Sequence, residues 1–315
     1  MRAVRIHSPG DLRVEEVPDP VPAPGEVLVQ VEVALTDGTD LKTYRRGHPL
    51  LLDGAPGPFG HEFCGVEAGT GRRVVAANSA PCGVCAACLR GDETLCEDRP
   101  FLNGAYAELI AVPERIARTN LLPVPATLAP EVAAMVEPLA CCLHGVERAD
   151  IHPGDTVAVL GLGPIGLMLC ACVVDAGGSP VAIGGRPERR RLGPLFGAHL
   201  ADNLEAADVV IEAAGTAEAW QNAIGLARPG GTVVLFGGLG RGTEVAVDSY
   251  RVHYEELTLR GAFHHAPRHV RAALAFLASG AYPWERLITH RISLDEVPAL
   301  FADPPADLLK AAVYP

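Results

Sequence analysis

The run Thr156-Val-Ala-Val-Leu160, followed at once by Gly161-Leu-Gly163-Pro164-Ile165-Gly166, leaves this chain few choices of fold. The residues before the glycines form a continuous apolar strand, as in a strand covered on both faces, and such strands belong in parallel sheets. The residues after them, Leu167 to Ala176, form an apolar helix. In that setting the three glycines serve different ends: a tight turn at Gly161, backbone approach to a pyrophosphate at Gly163, and close helix packing at Gly166. Pro164 and Ile165 then open a helix whose first N–H groups face an anion. A glycine turn without ligand is the plain alternative, and the flanking strand and helix argue against it.

The same alternation continues. A helical pattern over Glu131 to Ala149 precedes the glycine turn, and strand-like runs follow at Val181 to Ile183, Val209 to Ile211 and Thr232 to Phe236. Strands alternating with helices predict a doubly wound α/β domain with a parallel sheet over residues 128–262. Residues 1–127 read differently, as short strands and Pro/Gly-punctuated loops such as the alternating Val27-Leu-Val-Gln-Val-Glu-Val33. That region is expected to be mostly β.

The end of the second strand of the α/β domain indicates which dinucleotide is held. An NAD-preferring site places a carboxylate there for the ribose 2′-hydroxyl. Here the stretch reads Val181-Ala-Ile-Gly184-Gly185-Arg186-Pro-Glu-Arg189-Arg190, with glycine in the carboxylate's place and arginines beyond. A guanidinium fork suits a phosphate, so NADP is expected over NAD, with Arg186 as first contact and Arg189 or Arg190 in support. The competing reading is a solvated basic helix start.

Four cysteines, Cys82, Cys85, Cys88 and Cys96, lie two residues apart and then close after seven more. Such gaps let thiolates converge on one tetrahedral ion, which predicts a closed structural zinc site in a lobe over residues 80–98. Thiols buried as small hydrophobes or paired as disulfides are the alternative. The other five cysteines, Cys64, Cys141, Cys142, Cys170 and Cys172, sit among apolar residues and read as core filling.

A formal net charge of −12 argues against the clustered positive surface that nucleic-acid binding needs, and no basic stripe is visible. Neither a signal-peptide pattern nor an apolar run of membrane-spanning length is visible, so no membrane partner is expected. Nine cysteines without a secretion signal suit a reducing compartment, and the cytoplasm is the expected location.

A cysteine lobe ahead of a dinucleotide fold resembles the zinc-containing medium-chain dehydrogenases, most closely the branch with sorbitol, threonine and glucose dehydrogenases. The likeness covers essentially the whole chain. It rests on Gly60-His61-Glu62, the cysteine lobe, Glu137-Pro138-Leu139 and the turn Gly161 to Gly166. It implies a GroES-like, mostly-β catalytic domain built from residues 1–127 and 263–315, joined to the Rossmann domain. It also implies a catalytic zinc between the domains, with ligands among His61, Glu62 and Glu137. At the first ligand position the family usually carries Cys-Gly-Ser/Thr-Asp, whereas this chain has Asp37-Gly38-Thr39-Asp40. A carboxylate matches the charge of a thiolate, so Asp37 can serve as ligand, but oxygen in place of sulfur should loosen zinc selectivity and admit metals such as manganese. The competing role for Asp37 is to cap a loop at a vacant site. The likeness further assigns Thr39 to the hydroxyl that shuttles the substrate proton and Asp40 to the carboxylate that steadies the ligating histidine. Lys42 stands where many relatives have a relay histidine; protonated at neutral pH, it donates readily but is a poor base.

The expected activity is reversible hydride transfer between a secondary alcohol, polyol or sugar and a nicotinamide cofactor. Two rivals follow from the same residues: a metal-free NADPH-dependent reductase of enones or quinones, and a catalytically silent NADPH-binding protein. Retention of His61, Glu62 and Glu137 speaks against the reductase. A homodimer or homotetramer is expected, because the family joins sheets across a dimer axis near the strand Val233 to Phe236.

Overall fold

The computed structural model describes residues 1–47 and 56–315. They form two compact units, one of Met1–Pro138 with Ala266–Pro315, the other of Leu139–His265.

The second unit is a six-stranded sheet in which every neighbouring pair is parallel. From edge to edge the strands are His199–Ala201, Ser179–Ile183, Thr156–Leu160, Ala207–Glu212, Ala227–Leu235 and Thr258–Gly261. In chain order this is 3-2-1-4-5-6, so the order reverses beside Thr156–Leu160, the strand that feeds the glycine turn. Its central residues Val157, Ala158 and Val159 are fully buried, which is why the strand carries no polar alternation. Helix Pro164–Asp175 is buried from Gly166 to Val173, in keeping with its uniformly apolar sequence. Only residues 202–206 separate the third strand from the fourth, and no helix lies between them. The strand near Val233, beside which the family joins sheets across a dimer axis, has parallel partners on both sides within this unit. The two edge strands are His199–Ala201 and Thr258–Gly261.

The first unit is built on a seven-stranded sheet in the order Ile288–Ser293, Lys310–Tyr314, Val27–Leu35, Glu62–Glu67, Arg73–Ala76 and Leu121–Pro123, with Leu109–Val112 also pairing along Val27–Leu35. Alternation in Val27–Leu35 predicts one buried face, and Val29, Val31 and Val33 are buried as expected. A small sheet holds Arg2–Ser8 between Asp11–Glu16 and Gly57–Pro58. Ile6, Phe59, Phe63, Tyr106, Ile116, Val297 and Phe301 share one core, each large side chain stabilising it by about 1.5–3 kcal/mol.

Two features of this unit place the site. The last strand, Lys310–Tyr314, pairs antiparallel with Val27–Leu35, Ala312 opposite Leu35. The chain's final segment thus returns to the residues just ahead of Asp37. Helix Pro130–Ala133 packs on Val27–Leu35 and Glu62–Glu67, so the unit extends to Pro138 instead of breaking near residue 127.

Candidate active site and metal centres

Strand Val27–Leu35 ends at buried Thr36, and the next residue, Asp37, caps helix Gly38–Arg46. Its Oδ1 accepts the Asp40 N–H at 2.7 Å, while the Asp37 N–H donates to Asp40 Oδ2 at 3.3 Å. This reciprocal cap fixes the Asp37 carboxylate without using its second oxygen. Oδ2 faces His61 Nε2 at 3.8 Å. The cap and the approach to His61 therefore fall on different oxygens of one side chain.

His61 follows Gly60, whose φ of +83° is backbone that glycine adopts without strain. The imidazole Nδ1 lies 3.1 Å from Asp40 Oδ1, which accepts the Nδ1–H and leaves Nε2 directed toward Asp37. Burial works against a charged ring, but the carboxylates of Asp40 and Asp37 outweigh it and hold the His61 pKa well above the ordinary histidine value. Asp37 is kept below the usual carboxylate range: burial opposes this, and the charges of His61 and Lys310 overcome it. Thr39 adds a hydrogen bond from its hydroxyl to the Asp37 carboxylate. Lys42 lies half-buried one turn along the same helix.

Glu62 opens strand Glu62–Glu67 with no exposure to solvent. Both of its oxygens accept from Lys310 Nζ, at 2.8 and 2.6 Å, and Nζ also donates to the Thr36 carbonyl at 3.1 Å. The ammonium is held charged by Glu62 and Asp37 against the cost of its own burial. Removing one partner of such a pair costs about 3–5 kcal/mol, because the other is left buried and charged. Lys310 was invisible to sequence reasoning: only the return of the last strand brings it within reach of Glu62, from 248 residues away. The one available signal was rarity, since Lys310 is one of only two lysines in the chain.

Donor atoms of Asp37, His61 and Glu62 all lie within 4.8 Å of one another. Glu137, in the first turn of helix Val136–Ala149, is buried, and its charge contributes to the raised His61 pKa; it is not among those three mutually close donors. Nitrogen and oxygen ligands about 2.0–2.2 Å from a tetrahedral ion sit about 3.4 Å apart, so the Asp37–His61 separation is close to a ligating one. Burial, then the charges of Asp37 and Glu137, raise the Glu62 pKa against the opposing charges of Lys310 and His61, so three acidic groups lie within one another's field. On both counts these residues fit a divalent cation.

The cysteine lobe is local by contrast. Sγ atoms of Cys82, Cys85, Cys88 and Cys96 lie within 4.8 Å of one another, and Cys82 and Cys88 are 3.9 Å apart. Four thiolates about 2.3 Å from one zinc stand about 3.8 Å apart, so this group fits the ion as well. Backbone N–H groups of Val84 and Cys85 donate to Cys82 Sγ at 3.5 and 3.3 Å, and that of Cys82 donates to Cys96 Sγ at 3.2 Å. Backbone donors from Cys88 and Glu97 bring the Cys85 thiol down to about 6, whereas burial pushes Cys88 up to about 12. All nine cysteines are free thiols. Of the other five, Cys64, Cys142, Cys170 and Cys172 are buried and Cys141 is half-buried; burial pushes Cys64 and Cys170 up to about 12.

In the second unit the glycine turn has the expected shape. Gly161 has φ +101°, and a Cβ there would sit 3.1 Å from the Ala214 nitrogen. A Cβ on Gly166 would lie 1.8 Å from the Gly161 carbonyl oxygen, which excludes any other residue, while Gly163 faces open space. Gly163 caps helix Pro164–Asp175 with no side chain on the free N–H groups, leaving them for an anion. At the end of the neighbouring strand Gly184 and Gly185 both have positive φ, and Arg186 is exposed beyond them. Burial, then the positive charge of Arg186, lowers the Arg189 pKa, so these two guanidiniums are close. Arg190 instead binds Asp202 at 2.9 Å and the carbonyls of Gly184 and Ala201 at 3.4 Å, bracing the loop.

Residues 23–126 match the family profile described as an alcohol dehydrogenase GroES-like domain, and residues 164–279 that of a zinc-binding dehydrogenase. An erythritol/L-threitol dehydrogenase of Mycolicibacterium smegmatis is 33% identical over 94% of this chain and 92% of its own length. The chain belongs to the zinc-containing medium-chain dehydrogenases. Within this family it falls in the sorbitol dehydrogenase-like branch; a sorbitol dehydrogenase of Bacillus subtilis is 28% identical over 94% of the chain and 91% of its own length. A solved zinc-binding dehydrogenase of Sinorhizobium meliloti, bound to NADP, superposes with a TM-score of 0.91 at 34% identity, covering 100% of this chain and 99% of that one. The chain is thus an NAD(P)-dependent alcohol dehydrogenase-type oxidoreductase acting on CH–OH donors. No helix among the described residues is long and apolar enough to cross a membrane.

Proposed function

We propose that this dehydrogenase oxidises the secondary alcohol of a polyol or sugar with NADP, using a divalent cation held by Asp37, His61 and Glu137 or Glu62. The observation that carries the reading is the buried His61 ring, its Nδ1 tied to Asp40 and its Nε2 turned to Asp37 Oδ2 at 3.8 Å. An imidazole fixed in this way offers Nε2 to a cation, which would displace the proton that the surrounding carboxylates otherwise favour there. With Glu62 gripped by Lys310 through both oxygens, we favour Glu137 as the third ligand and Glu62 as the charge that sets the field around it.

A cation bound here supplies Lewis-acid stabilisation of the negative charge that develops on the substrate oxygen, worth several kcal/mol. Thr39, hydrogen-bonded to Asp37, carries the hydroxyl proton outward. Asp40 holds the histidine ring, and Lys42 lies on the same helix as a donor at most. The redox step is the cofactor's. Gly161, Gly163, Pro164, Ile165 and Gly166 seat its pyrophosphate, Gly184 leaves room beside the ribose, and Arg186 with Arg189 takes the 2′-phosphate. The cysteine lobe holds a structural zinc.

A polyol is favoured because oxygen donors crowd the site, so a second hydroxyl finds an acceptor, and because the named relatives act on erythritol, threitol and sorbitol. Nine free thiols suit a reducing cytoplasm, and a homodimer or homotetramer is the expected assembly. The test is a screen of NADP- and NAD-linked oxidation across polyols, aldoses and amino alcohols, with metals counted on the same sample. Polyol turnover with NADP and a metal beyond that of the lobe supports the reading; enone reduction with the lobe metal alone sinks it.

A further inference from the structure

We infer that Tyr106 is a positioning residue for His61, acting through Asp40 as the far end of a buried chain that runs Tyr106 Oη to Asp40 to His61 Nδ1. The inference rests on the reading of His61 as a ligand.

The hydroxyl of Tyr106 donates to Asp40 Oδ2, the carboxylate oxygen opposite the one that holds His61, with the Leu35 carbonyl as a longer partner at 3.1 Å. All three side chains are buried, Tyr106 completely. A phenol that must find a partner inside a core would be satisfied by the Leu35 carbonyl; here it also reaches a carboxylate, a charge-assisted bond about twice as strong as a neutral one. Asp40 without this donor would keep only the weaker 3.3 Å bond from the Asp37 N–H on Oδ2.

The tyrosine cannot drift from this position. Its ring lies against Gly60, where an added Cβ would meet ring carbons at 2.8 Å, so the residue before His61 must be glycine for the ring to fit. Phe59 packs edge-on against it at 5.6 Å between centroids, and Phe301 lies 6.3 Å away. Its backbone is pinned too: the Tyr106 N–H donates to the Phe59 carbonyl at 3.1 Å, and the Val4 N–H donates to the Tyr106 carbonyl at 2.8 Å. The ring and the Phe59–His61 backbone therefore move as one body. One rigid phenol registers both the helix that carries Asp37 and Asp40 and the segment that carries His61.

The test compares wild type with Tyr106→Phe, which keeps the ring and removes the oxygen. Competition with a chromogenic chelator should show a metal at the Asp37/His61 site released about tenfold more readily, the low end for loss of an outer partner, with the cysteine-lobe metal unchanged. In metal-stripped protein, the His61 Nδ1–H resonance should exchange faster with solvent in the variant than in wild type. In an Asp40→Asn background, adding Tyr106→Phe should change neither readout, because the two act in series. Equal His61 proton exchange in wild type and variant, or additive effects in the double variant, would overturn the proposal. The exchange measurement needs no metal, so a chain that proves to bind only the lobe ion would remove the proposed function while leaving the role of Tyr106 decided by the resonance.

Discussion

The two candidate metal centres of this chain are built in opposite ways. The cysteine lobe takes four donors of one kind from fifteen consecutive residues, Cys82 to Cys96, and turns them inward with its own backbone N–H groups. The Asp37/His61 site draws nitrogen and oxygen donors from separate strands and a helix, and needs Asp40, Tyr106 and Lys310 behind them to hold their geometry. A local cluster of soft thiolates suits a closed, structural ion; a site assembled over long range from hard donors suits one that can be tuned. The contrast leads to distinct failures when each is disturbed.

The largest effect is expected from His61→Ala, which removes the nitrogen ligand: kcat/KM for alcohol oxidation should fall by about 10³-fold or more, read in a steady-state assay, and the unfolding temperature should fall too, because Asp37 and Asp40 lose their buried positive partner. Cys88→Ser should spare turnover. Loss of the lobe metal lowers the unfolding temperature by something on the order of 10 °C in a calorimetric scan, while turnover at low temperature keeps its order of magnitude. If Cys88→Ser silenced turnover in folded protein, the division between a structural and a reactive centre would be wrong.

The difference in construction also explains what could be read from sequence. Cys82, Cys85, Cys88 and Cys96 carry their geometry in their spacing, and Gly161 to Gly166 carry theirs in the strand and helix on either side. The parallel sheet was legible because Val157 to Val159 are buried on both faces. Lys310 and Tyr106 were not legible, since nothing near them in sequence announces a partner; the pairing of the last strand beside Leu35 and the packing of one ring on Gly60 create their roles. Arg190 looked like a phosphate ligand among three neighbouring arginines, and the structure gives it Asp202 to hold.

Two smaller effects sharpen the contrast. Arg186→Ala should weaken NADPH binding by about 10- to 100-fold in a fluorescence titration, as expected for a charge-assisted bond to phosphate, and leave NADH unaffected. Equal losses for both cofactors would make Arg186 a surface charge. Asp37→Cys, restoring sulfur to the oxygen-rich site, should shift its relative affinity toward zinc and away from manganese by something on the order of tenfold in a competition assay, without touching the lobe. A site indifferent to that exchange would show that Asp37 serves its helix cap alone.

Counting metal ions per chain by mass spectrometry, in freshly purified wild type and in His61→Ala, is the most direct test of the account. Two ions per chain in wild type and one in the variant are predicted. A single ion in both, carried by the cysteines, would contradict it.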